Sequence, residues 1–131
     1  MMICRISSDM GIATKRRKKL IVEGRPYLWW VQDDRDSNDM VLHVASQDKA
    51  FLLQYHLSQP EHTRHVIIMG RMFAGVPEAG GPWVRVLCPL WEEAGVIRPS
   101  AVQRLIDWAH DASQTRTRVD WLGRAVQDNN S

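Results

Sequence analysis

Over residues 20–88 the apolar side chains recur mostly two apart, and from residue 99 onward they recur three and four apart. Alternation puts successive side chains on opposite faces of a strand, whereas the longer spacing gathers them on one stripe of a helix. Strands in succession followed by a helix specify an α+β chain. The expected architecture is an antiparallel β-sheet of about five or six strands with a C-terminal helix packed on one face.

The run Leu20, Ile21, Val22 favours a strand, Glu23 to Pro26 carries turn residues, and Tyr27, Leu28, Trp29, Trp30, Val31 favours a second strand, which together make a hairpin. Residues 41–45 form a third strand candidate. In residues 51–57, Phe51, Leu53, Tyr55 and Leu57 share one face, with Gln54 and His56 on the other. Residues 65–69 and 83–88 are two further candidates, joined by a segment holding Gly75, Pro77, Gly80, Gly81 and Pro82. Val102, Leu105, Ile106 and Ala109 then predict a helix over about residues 99–111, with Pro99 suited to its first turn. A weaker helical spacing, Val119, Leu122 and Val126, is interrupted by Gly123.

At 131 residues, with 44% apolar and 24% charged side chains, the chain buries a core without needing a disulfide framework or a metal. The expected organisation is a flexible basic leader over residues 1–18, one α+β domain over 19–126 and a polar tail over 127–131. Two cysteines, Cys4 and Cys88, read as free thiols. No stretch resembles a signal sequence or a membrane span, so a cytoplasmic location without membrane contact is expected.

The hairpin with Gly24, Tyr27 and Trp29, and the segment with Ile97, Pro99, Val102, Leu105, Ile106, Trp108 and Ala109, resemble a family of short uncharacterised bacterial proteins. In that family a G-x-x-Y/F-x-W hairpin opens the domain and an I-T-P-x-x-V-x-x-L-I-x-W-A helix nearly closes it. The resemblance implies the fold and a bacterial source, and no activity. Arg98 stands where that pattern has a helix-capping threonine, and Asp111, Ala112, Ser113 and Gln114 replace a G-W-x-P continuation.

Motifs for catalysis and metal binding are incomplete. Asp34, Asp36 and Asn38 have the opening spacing of a calcium loop, but Asp39 occupies the glycine position and Ala45 the position of the bidentate glutamate. His56, His62 and His65 lack a converging ligand set, and no bound metal or cofactor is expected. Cys88 reads as an inert packing residue of an apolar strand, and Glu92 and Glu93 as solvated loop charges. No phosphate-binding glycine loop or nucleophile elbow occurs.

Charge is unevenly distributed. Residues 1–25 hold seven cations against Asp9 and Glu23, a surplus of five, so the rest of the chain carries −3 within a net charge of +2. Lys15, Arg16, Arg17, Lys18 and Lys19 are therefore the candidate nucleic-acid contact, with an adjacent tryptophan as stacking platform. The opening hairpin points elsewhere. Tyr27, Trp29 and Val31 face one side of their strand, and Leu28 and Trp30 the other, so both sides are apolar and each needs cover. Trp108, Trp121 and Leu122 are the intramolecular candidates. Arg25, Tyr27, Trp29, Trp30 and Trp108 are the candidate anchors for a protein partner or a second copy. The favoured reading is a non-enzymatic interaction module, with self-association within its scope. A nucleic-acid accessory protein is the alternative, and a small enzyme whose residues meet only in three dimensions is the third.

Overall fold

The computed structural model describes residues 17–34, 39–77 and 79–126. The first turn follows from two adjacent residues with positive φ, Glu23 at 49° and Gly24 at 78°. A two-residue loop of that kind matches the right-handed twist of the strands it joins, and glycine adopts it at little cost. It pairs β1 (Lys18–Val22) with β2 (Arg25–Asp34). The chain continues through β3 (Asp39–Ser46), β4 (Leu52–His56), a short 3₁₀ turn (Glu61–Thr63), β5 (His65–Ile68) and β6 (Val84–Leu87). After α1 (Pro99–His110) it returns as β7 (Arg118–Val119).

All neighbours are antiparallel, and the spatial order is β1-β2-β3-β4-β5-β6-β7, the order of the sequence. The sheet has seven strands where five or six were expected. The seventh strand comes from residues read as weakly helical. Asp120 instead turns the chain, its Oδ1 accepting the backbone N–H of Leu122 and Arg124. Gly123, at φ +82°, completes the turn, and a Cβ there would lie 2.4 Å from the Thr63 carbonyl oxygen.

The register divides the sheet into two faces. On the inner face Tyr27, Trp29, Leu42, Val44, Leu53, Tyr55, Val66, Ile68, Val84 and Val86 are buried, and the Val102, Leu105, Ile106 and Ala109 stripe of α1 belongs to the same cluster. The helix starts at Pro99 with no side-chain cap from Arg98. Its other end is held by Arg116, which donates to the carbonyls of Trp108 at 2.8 Å and Ala109 at 3.2 Å, and from Nε to Ala74 at 3.0 Å. Among the described residues, no helix is long and apolar enough to cross a membrane.

Candidate functional site

The outer face of the sheet carries a separate row of side chains. Trp30 on β2 lies opposite His43 on β3, which lies opposite Gln54 on β4, then Ile67 on β5, Arg85 on β6 and Val119 on β7. Leu28, Ala45 and Leu52 form a parallel row one step away. None of these residues belongs to the buried cluster that includes α1, and Ala45, Ile67 and Val119 are buried by their own neighbours, leaving Leu28, Trp30, His43 and Leu52 partly exposed. Ile21, on the same face at the β1 edge, is 55% exposed.

Trp30 stands between two partners. The His43 ring stacks on it with centroids 4.9 Å apart and planes 5° apart. From the β1 side, the Arg17 guanidinium carbon lies 4.3 Å from its ring centroid. Both faces of the indole are thereby occupied, and its Nε1 donates to Gln32 Oε1 at 3.3 Å. Beside this stack is a hollow of about 320 Å³ lined by Gln32, Asp33, Asp34, Val41, His43 and Gln54. Burial holds His43 below the ordinary histidine value, and the nearby His56 and Arg17 add to the effect against an opposing contribution from Asp34. His43 is therefore neutral at pH 7 and packs as an aromatic ring.

The five expected anchors separate. Tyr27 and Trp29 are core residues, 2% and 4% exposed. Trp108 packs on the inner side, edge-on to Phe73 and Trp91, both at 5.5 Å. Arg25 and Trp30 remain at the surface or partly so. Trp108 thus covers the inner face, while Trp121 and Leu122, expected as covers, are 71% and 44% exposed.

The basic run separates as well. Lys15 and Arg16 lie outside the described residues. Lys18 turns to the inner face, its Nζ 5.2 Å from the Trp29 ring, while Arg17 and Lys19 belong to the outer side. Alternation along a strand distributes these cations between two surfaces.

One further expectation is corrected. Glu92 is not a solvated loop charge: it is 6% exposed, accepting a hydrogen bond from the Tyr55 hydroxyl and another from the Ser58 backbone N–H at 2.7 Å. Glu93 is exposed, 3.4 Å from Arg98. Cys88 is a free thiol against the core, its pKa pushed up to about 12, chiefly by burial. Cys4 lies outside the described residues, as do Asp36 and Asn38. His56 makes a 3.4 Å contact with Asp39, and His65 Nδ1 lies 2.7 Å from the Thr63 carbonyl. His62 is exposed, and no group of three or more metal-ligating side chains assembles among the described residues.

The fold and this surface define an α+β protein with one helix-covered sheet face and a second face of mixed apolar and aromatic character. No family model, curated protein or solved structure matches the chain.

Proposed function

We propose that the protein is a non-enzymatic interaction module that self-associates through the outer face of its sheet. The observation that carries this reading is that Leu28, Trp30, Leu52 and Ile21 lie on a face outside the helix-packed cluster, while the tail tryptophan expected to cover it points to solvent. A second copy is the occupant because the face carries both signs of charge. Arg17 and Lys19 lie at the β1 side, and Asp34 and Asp39 at the end of the β2–β3 hairpin. A two-fold axis brings unlike charges of two such faces together.

Seven strands about 4.8 Å apart and about five residues long offer a face near 500 Å², below the roughly 800 Å² per partner of a standard interface. Association is accordingly weak and concentration-dependent. Nucleic-acid stacking on Trp30 is disfavoured by the same geometry, because a base must first displace Arg17 or His43 from the indole.

Sedimentation equilibrium of the full chain tests the reading. Wild type is expected to dimerise at about 10–500 μM, the range of a small interface. Trp30→Ala shifts it to monomer with the melting transition retained, whereas Trp29→Ala lowers stability by about 3–5 kcal/mol. A wild type that stays monomeric throughout that range overturns it.

A further inference from the structure

On the helix side of the sheet, the face opposite Trp30, a cleft of about 430 Å³ opens between the β1–β2 turn and the C-terminal end of α1. Its back is a hydrogen bond between Tyr27 and His110, with hydroxyl oxygen and Nε2 3.0 Å apart. The Tyr27 ring is fixed edge-on to Phe51 at 5.5 Å, and His110 lies 5.2 Å from that same ring. Burial raises the Tyr27 pKa and lowers that of His110. The phenol is therefore protonated and the imidazole neutral at pH 7, so this hydrogen bond joins two uncharged groups, with the imidazole tautomer setting which of them donates. The Tyr27 hydroxyl also faces the Arg25 side chain, and the His110 ring lines the cleft beside it.

Three charges surround this pair. Arg25, Glu23 and Asp107 all line the cleft, and each is close enough to influence both Tyr27 and His110. They do not neutralise one another: among the described residues no carboxylate lies within ion-pair distance of Arg25. Its guanidinium instead donates to the Met72 thioether at 3.1 Å, a weak acceptor, and faces the Tyr27 hydroxyl, both of them uncharged partners. A guanidinium in that position retains a fork matched to a carboxylate. Glu23 and Asp107, lining the same cleft, favour a cation there.

A simple anion entering the cleft meets two carboxylates, and a simple cation meets Arg25. A molecule bearing both charges satisfies every group. Val22 and Met72 add an apolar wall. We infer that this cleft binds a free α-amino acid with an aliphatic side chain, its carboxylate on Arg25, its ammonium between Glu23 and Asp107, and its side chain against Val22 and Met72.

The test is an NMR titration of the full chain, following the His110 ring resonances. L-Leucine is compared with 4-methylpentanoate, which lacks the ammonium, with 3-methylbutylamine, which lacks the carboxylate, and with glycine. L-Leucine is expected to give a saturable shift with a dissociation constant near or below about 1 mM, and the other three to bind at least about tenfold more weakly. Arg25→Gln and Asp107→Asn, both at exposed positions, should each weaken L-leucine by at least about tenfold, whereas Trp30→Ala leaves it unchanged. No saturable shift up to about 10 mM, equal binding by either single-charge compound, or indifference to both cleft substitutions overturns the assignment. Trp30→Ala tests the sheet-face reading separately.

Discussion

Arg116 binds Trp108 twice: its guanidinium carbon lies 4.4 Å from the indole centroid, and its Nη2 donates to the backbone carbonyl of the same residue at 2.8 Å. Phe73 flanks the guanidinium at 4.6 Å. One cation thereby closes the end of α1 and joins it to the loop after β5. Arg116→Ala is expected to lower unfolding free energy by about 2–4 kcal/mol, combining lost charge-assisted hydrogen bonds with lost stacking. Arg116→Lys recovers little, because an ammonium cannot reach several carbonyls as a planar fork. Urea denaturation measures both.

Glu92 gives a second prediction. Burial disfavours its charged form, but hydrogen bonds from Tyr55 and the Ser58 N–H outweigh that and leave its carboxyl below the ordinary value. A depressed folded-state value means that the stabilisation is complete above the unfolded value of 4.5 and is lost as pH falls through the folded one. Glu92→Gln should cost about 1–3 kcal/mol at pH 7 and flatten the stability profile below pH 4.5. Tyr55→Phe should flatten it in part.

The histidines act at higher pH. Burial lowers the values of His43, His65 and His110. The unfolded chain therefore takes up protons more readily than the fold, and stability rises with pH over that window. It should be complete above the unfolded value of 6.5 and decline as pH falls through it toward the folded values. Urea midpoints between pH 7.5 and about 5 follow this, and His110→Gln should remove part of the slope.

Cys88 supplies a fourth test. With its value at about 12 against an ordinary 9.0, its thiolate fraction at pH 8 is about a thousandfold reduced. In a Cys4→Ser background, folded protein should react with a disulfide reagent at least about tenfold more slowly than urea-unfolded protein, the lost thiolate fraction being partly offset by the greater nucleophilicity of a high-pKa thiolate. Comparable rates would place the thiol in solvent.

Legibility in the sequence followed the range of the interaction. The alternation of Phe51, Leu53 and Tyr55 and the stripe from Val102 to Ala109 are local patterns, and both elements stand where those patterns placed them. β7 was misread because two residues are too few to alternate. The Val119, Leu122, Val126 spacing mimics a helix, while Asp120 and Gly123 were the turn signals that prevailed. Glu92 was misread because its partner Tyr55 lies 37 residues away. Tyr27 and His110 are 83 apart, so nothing local joined them. The i, i+3 placement of Asp107 and His110 on one side of α1 was the available hint.

The agreement between strand order in space and strand order along the chain has a kinetic consequence. From β1 to β6 each pairing joins sequence neighbours, so the sheet assembles by closing adjacent loops and never needs a distant segment first. The pairing of β6 with β7 differs, since the whole of α1 intervenes. A refolding chain should therefore acquire amide protection in β2 to β5 early. Protection at Val119 should follow only after the helix has docked, making the C-terminal strand the last to lock and the first to fray.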